Sequence, residues 1–384
     1  MPPVTRPATD VSGTAGGEVR RSVVFWNCSR LFGSGGSPIE HALTLDDPDS
    51  RATRAQVSRK IEVMAAVLDA IAVAYGPPVL VGLVEIESSA LAGEIAAAVR
   101  SAHLVDVDSL AEDETGLVLD GLNISLLVDT TAFPGPVRLR SHLIDRAFGT
   151  RDILEVDITV APDRPPLSVF VNHWPSRLSS DGLARRHAAA HYAARLVNEK
   201  VRFTLREMWQ AETAHLDIPT QDEAVKRARA PVLVMGDFND EVFDASLAIL
   251  DSTPDTSAVV DDLNLHGRTD RDRFVTYRDS SPRLYNPIWA YAAGGGSYYR
   301  SPRWRTYDQI LLSRGLLEPR HAWPLQYVAD SARIVDFTTV TLGDGSVYSL
   351  TNRGGKPIAY QPAKDRGCSD HFPVLAVFDT PVSL

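Results

Sequence analysis

The sequence predicts an α/β fold built as a mixed-sheet sandwich, on three observations. Strand-length apolar runs alternate with helical stretches along the chain, some runs are joined by short turns, and no repeat of fixed period divides them. The first run, "SVVFWN" (22–27), reads as a buried strand. Residues 54–75 place Val57, Ile61, Met64, Leu68, Ile71 and Tyr75 at three- and four-residue spacings. That spacing predicts an amphipathic helix, which "GPP" at 76–78 ends. "VLVGLVE" (79–85), "NISLLVD" (123–129), "ILEVDITV" (153–160) and "LSVFVNH" (167–173) follow as strands. A second long helix is expected over 182–209, and "APVLVMGD" (230–237), "TYDQILLS" (306–313) and "FPVLAVFD" (372–379) are the last strands. Stretches near 211–229, 251–273, 278–303 and 329–366 read as insertions or long surface loops. Residues 1–20, rich in Pro, Gly, Ser and Thr, are expected to be a disordered leader, with one domain over 21–384.

The 384 residues are 44% hydrophobic and 23% charged, a composition that supports a sizeable core. With 39 Lys plus Arg against 49 Asp plus Glu, the net charge of −10 argues against a protein that coats nucleic acid through a broad basic surface. It leaves room for an enzyme that grips a few phosphates locally. No apolar run is long enough to cross a bilayer, and the first twenty residues hold no secretory apolar segment. The expectation is therefore a cytoplasmic protein with no membrane partner, and no segment signals an obligate protein partner. Cys28 and Cys368 are too few for a disulfide scaffold and read as small reduced apolar side chains.

The informative pattern is positional. Several apolar strands finish in one specific polar residue: Asn27 after "VVFW", Glu85 after "VLVGLV", His173 after "VFVN" and Asp237 after "VLVMG". Asp308, and Asp370 with His371 in "SDHFPV", stand where strands begin. Antiparallel neighbours start where their partners end, so both groups could converge on one sheet edge. Oxygen ligands without thiolate suit Mg²⁺ or Mn²⁺, and histidine beside carboxylate supplies acid–base chemistry near neutral pH. Together these parts suit metal-assisted phosphoester hydrolysis.

Other features have plainer readings. Asp237 and Asn239 alone would serve a turn as well as a site. Asp240 is expected to cap a helix starting near 241, and Glu87 to cap the helix from Ser88. His187 and His191 lie one helical turn apart without the glutamate of a zinc helix, and read as a solvated or partly packed pair. Arg185 or Arg186 could reach the site from the start of the same helix. Residues 294–305, "GGGSYYRSPRWR", interleave aromatic and arginine side chains, so Arg300 and Trp304 are candidates for substrate contact, with a scaffolding role equally open.

The set "FWN", "GLVEIE", "VNHWPSR", "VMGDFND", "YDQILLS" and "SDHFPV", in that order over residues 23–377, resembles the endonuclease/exonuclease/phosphatase superfamily of deoxyribonuclease I-like fold. The resemblance implies a four-layer α/β/β/α sandwich, two packed mixed sheets flanked by helices, with the site at one edge. It implies Glu85 and Asp370 as metal ligands, with Asn27 near metal and phosphate. Asp237 and His371 would align and deprotonate water, Asp308 would orient His371, and His173 with Asn239 would stabilise the transition state. Arg151 resembles a phosphate-contacting arginine. Where many members support the middle histidine with an acid, this chain offers Asn123, with Asp120 three residues before it. The expected activity is a Mg²⁺- or Mn²⁺-dependent phosphodiesterase acting on nucleic acid. A phosphatase or a lipid or small-molecule phosphodiesterase is the first alternative, and a catalytically silent binding module the second.

Overall fold

Strands that are apolar on both faces have to be covered on both faces, and that requirement organises the molecule. The structure, a computed structural model, describes residues 18–31, 53–110, 124–144, 152–160, 164–178, 180–203, 207, 221–260, 283–318 and 325–381. One sheet contains β1 (Glu18–Leu31), β2 (Pro78–Ile86), β3 (Leu104–Asp106), β4 (Ile124–Asp129), β14 (Gln326–Tyr327), β15 (Arg333–Ile334) and β18 (Val374–Pro381). Its order is β14-β18-β1-β2-β4-β3, with β15 also on β18, and only β1 and β2 run parallel. The second sheet holds β5 (Val137–His142), β6 (Ile153–Ile158), β7 (Leu167–His173), β8 (Val232–Asp237), β9 (Ser252–Thr253), β10 (Leu284–Tyr285) and β13 (Asp308–Leu312). Its order is β5-β6-β7-β8-β13-β10-β9, with β7/β8 and β9/β10 parallel. Two hairpins stand apart, β11 (Tyr298–Arg300) with β12 (Arg303–Arg305) and β16 (Thr339–Thr341) with β17 (Val347–Ser349).

Among the described residues, three separate hydrophobic clusters define four layers. Val23, Phe25, Leu80, Val169, Met235 and Phe378 fill the space between the two sheets. The alternate residues Val24, Trp26, Val81 and Leu83 face outward onto α1 (Arg54–Tyr75) and α2 (Ser89–Ala98). On the far side, Phe170, Val232, Val234 and Leu311 meet Ala189, Ala193 and Leu196 of α3 (Gly182–Val201). The α/β/β/α sandwich expected from the sequence is the observed architecture. Among the described residues, no helix is long and apolar enough to cross a membrane.

Element ends follow local chemistry. α1 starts at a capping box in which Thr53 and Gln56 satisfy each other's backbone amides, and it stops at Gly76, whose φ of 97° few other residues adopt. α2 is capped by the Ser88 hydroxyl on Leu91 N–H, the position expected of Glu87. α3 is shorter than the expected 182–209 and ends at Val201, with Arg202 as its extended C-cap. β1 begins at Glu18, three residues inside the expected leader. The stretches read as loops also contain short elements, including β9, the β11–β12 hairpin and the β16–β17 hairpin.

Phe238, fully buried, meets Trp174 edge to face at a centroid distance of 4.7 Å. Phe238→Ala is expected to cost about 3–5 kcal/mol of unfolding free energy by denaturant titration. A loss under about 1 kcal/mol would show that this ring does not anchor the turn beyond β8.

Candidate active site

Strand register assembles the site. The parallel pairing of β7 with β8 sets His173 opposite Asp237, and the antiparallel pairing of β13 with β8 sets Asp308 opposite the same residue. A histidine and two aspartates thus form one row across three strands. Gly236 permits this closeness, since a Cβ there would stand 2.5 Å from the Asn172 carbonyl oxygen. His371 enters from the loop before β18. That loop is tied to β1 where Ser369 Oγ donates to Asn27 O (2.6 Å) and Trp26 Nε1 donates to His371 O (3.0 Å). His371 Nδ1 lies 2.7 Å from Asp308 Oδ2, which also accepts from the Ser297 hydroxyl.

The other half of the site comes from β1 and β2. Asn27 Nδ2 donates to Glu85 Oε1 (3.2 Å) and to Asp237 Oδ2 (3.0 Å), joining the two sheets through one amide. Arg30 N–H donates to Glu85 Oε2 at 3.0 Å. Glu85 has φ +58°, a left-handed conformation that costs a non-glycine residue about 1–3 kcal/mol and concentrates at functional sites. The Glu85 side chain keeps 26% exposure while His173 and Asp237 are buried, so this carboxylate opens to solvent. His173 Nε2 stands 3.7 Å from Glu85 Oε1 and 3.9 Å from Asp237 Oδ2. Asp370 is half-buried, and its charge reaches both His371 and Tyr298.

The end of β8 is both a turn and a site. Asn239 has φ +51°, and its N–H donates to Asp237 Oδ1 at 2.9 Å. Its Nδ2 donates to the Trp174 carbonyl at 2.9 Å. The pair therefore forms a left-handed turn, and Phe238 between them points into packing. Asp240 does not cap a helix near 241, because the following helix is Ala245–Ile249 with Asp244 at its N-cap. Asp240 is buried and paired with Arg177 (2.6 Å) and Arg186 (2.9 Å), and it accepts from Ser246 Oγ (2.6 Å). Arg177 also donates to Asn239 O (2.8 Å) and pairs with Asp244. Glu241 holds Arg305 and Thr306 just ahead of Asp308.

Burial and the adjacent Asp308 charge push the Asp237 carboxyl up to about 7, against the His371 charge and hydrogen bonds from Asn239 N–H and Asn27. Burial draws the His371 imidazolium down, but the Asp308 charge and hydrogen bond, with Asp237 and Asp370 further off, push it up to about 10. The arrangement holds a charged imidazole beside a carboxyl that changes state near neutral pH. Ligating atoms of Asp237, Asp308 and His371 also lie within 4.8 Å of one another, close enough to share an ion.

Asn27, Glu85, His173, Asp237, Asn239, Asp308 and His371 are thus brought to one edge, with Asp370 beside them. Arg300 is exposed on the β11–β12 hairpin, whereas Trp304 stacks on Phe372 (5.9 Å, 17°) and packs against the core between the sheets. Arg151, Asn123 and Asp120 lie outside the described residues. Arg185 pairs with Asp181, and Arg186 serves Asp240. His187 is half-buried and His191 exposed. Sequence reading missed three contributors. Tyr298 stacks on His371 at 4.4 Å and 20°, Ser297 holds Asp308, and Arg177 locks the Asn239 turn. The "YY" before the Asp308 strand was a signal for the first, and the arginine of "HWPSR" for the last. Ser297 gave none.

Solved structures of low identity overlay the chain along most of its length. Humanized D. rerio TDP2 carrying 14 mutations is 14% identical, with 94% of this chain and 99% of that chain covered and a TM-score of 0.41. Sphingomyelinase C from Streptomyces griseocarneus is 13% identical, with 94% and 99% covered and a TM-score of 0.41. Mannosyl-6-phosphatase from Bacteroides thetaiotaomicron is 11% identical, with 92% and 98% covered and a TM-score of 0.42. Similarity at this level says nothing about the activity of this chain. No curated protein matches the chain. The model of the Endonuclease/Exonuclease/phosphatase family matches residues 22–207 and 191–379, so the chain belongs to that family, whose members hydrolyse phosphoesters.

Proposed function

We propose that the chain is a divalent-metal-dependent phosphodiesterase acting on nucleic acid as a nuclease. The observation that carries the chemistry is the row His173–Asp237–Asp308 completed by His371, with Asn27 linking Asp237 to Glu85. In this reading Asp237 takes the proton of the attacking water, since its carboxyl changes state near neutral pH. His371, fixed by Asp308 and kept charged, offsets the negative charge that builds on the phosphoryl oxygens rather than serving as the resting base. His173, on the Glu85 side of Asp237, donates toward the phosphoryl group or the leaving oxygen.

Glu85 and Asp370, with the Asn27 amide oxygen near them, would hold Mg²⁺ or Mn²⁺. The donor set fits a hard cation, being oxygen only, with a partly exposed carboxylate anchored by Arg30 N–H. The bound ion would supply Lewis-acid charge to the phosphoryl oxygen. Asp237, Asp308 and His371 fit this role less well, because His371 Nδ1 is already engaged by Asp308.

Support for a nucleic-acid substrate comes from the β11–β12 hairpin. Tyr299 is half-buried with Lys356 Nζ 3.5 Å from its ring centroid, and Arg300 and Arg303 are exposed beside it. Such a surface offers ring faces to bases and cations to phosphates. Residues 21–384 act as one catalytic unit in this reading, and the two buried, unpaired cysteines suit the cytoplasm we assign to it.

The test is one panel of purified protein with Mg²⁺ or Mn²⁺ against duplex DNA, single-stranded DNA, RNA, a generic phosphodiester and a phosphomonoester. Cleavage of at least one nucleic acid is expected, exceeding that of the small esters. Hydrolysis of the monoester alone would replace the nuclease reading with a phosphatase, and inactivity on all five would leave a silent binding module.

A further inference from the structure

The buried face of α1 carries Val57, Ile61, Val63, Met64, Leu68 and Ile71, and in the middle of it stands Lys60, only 5% exposed. An ammonium in apolar surroundings is unfavourable unless it is paired and hydrogen-bonded. Lys60 Nζ donates to the Ser29 carbonyl at 2.8 Å. Ser29 and Arg30 are consecutive left-handed residues, φ +50° and +57°, a strained pair that needs outside restraint. The amides of that pair serve the site, since Ser29 N–H donates to Asn27 Oδ1 (2.8 Å) and Arg30 N–H to Glu85 Oε2 (3.0 Å). The Ser29 carbonyl that Lys60 takes belongs to the same peptide group as the Arg30 N–H that holds Glu85.

We infer that Lys60 is a positioning residue, a buried latch that fixes the Ser29–Arg30 turn and through it aims Asn27 and Glu85 at the metal. The inference rests on the metal-site reading above. The side chain also lies within charge range of Cys28, Cys368, Glu85 and Asp370, which places it directly behind the site. An ordinary packing role would be filled better by an apolar side chain, as it is by Val57 and Met64 about one helical turn to either side.

The test compares the full-length protein with Lys60→Met. By calorimetry, Mn²⁺ is expected to bind Lys60→Met about tenfold more weakly. The Ser29 and Arg30 amides of the metal-free variant should lose hydrogen-exchange protection while the melting temperature holds or rises, as a purely structural lysine would not predict. Unchanged protection at both amides overturns the latch. Should Lys60→Met fail to fold, Lys60→Gln takes its place with the same readouts and the same overturning result. Glu85→Gln serves as control. If it too binds Mn²⁺ like the parent, the metal-site reading fails, and exchange at Ser29 and Arg30 still decides the latch.

Discussion

Alanine in place of His371 is expected to lower phosphodiester turnover by about 10²- to 10³-fold, the share that one preorganised donor to developing oxyanion charge supplies. The residue is held through both its ring and its backbone. Asp308 takes Nδ1 at 2.7 Å, Tyr298 stacks on its face, and Trp26 and Ser369 fix its backbone. Its loss leaves Asp308 fully buried with no cationic partner, and breaking such a pair costs about 3–5 kcal/mol. A domain of ordinary stability, about 5–15 kcal/mol, survives that at 25 °C, so the variant should fold and melt early. The pH dependence has a definite sign. His371 has a folded pKa of about 10, above its ordinary value of about 6.5. Its contribution to stability is fully present below pH about 6.5 and is lost as pH rises through about 10. The melting deficit of His371→Ala, measured in EDTA, should therefore be widest in mild acid and narrow toward pH 10. Asp237→Ala should lose turnover to a similar degree, and the double variant little more than either, as expected of groups acting together. Near-normal turnover in either single variant would remove that residue from the mechanism.

The fold was legible because the strands are covered on both sides. Double burial writes long apolar runs into β1, β2, β7 and β8, and the first helix repeats at helical spacing over 54–75. Boundaries were less legible where tertiary contacts set them, as at the end of α3. The site was legible because strand ends are sharp, each placing one polar residue at a sheet edge. Periodicity could not see backbone handedness. Glu85 and Asn239 both sit at positive φ, which a strand pattern does not register, so "VMGDFND" does not by itself tell a left-handed turn from a continuing strand. Nor could spacing assign Asp240. As a helix cap it would have been exposed, and only the fold reveals Arg177 and Arg186 closing on it from two other elements. Lys60 hides for the same reason, since one lysine in an amphipathic helix looks like a solvated residue until the helix is docked.

Removing divalent metal with EDTA is expected to abolish turnover. Glu85→Gln should raise the Mn²⁺ dissociation constant by at least about 10–100-fold, the range that loss of even a supporting partner of a metal ligand produces. Glu85 is the side chain on which the metal assignment turns. Its Oε1 takes the Asn27 amide and its Oε2 takes Arg30 N–H, so the carboxylate is oriented from both oxygens before any ligand arrives. Its left-handed backbone is a standing cost, and the Arg30 contact offers a reason for it, because that geometry brings the carboxylate back onto the β1 turn. Glutamine keeps the shape and one acceptor oxygen but drops the charge that a hard cation needs, so folding should be preserved while metal binding is not. The two measurements constrain each other. Turnover that survives excess EDTA would overturn the metal mechanism outright, whereas EDTA sensitivity with unaltered Mn²⁺ affinity in Glu85→Gln would move the ion away from β2, to the Asp237–Asp308–His371 group.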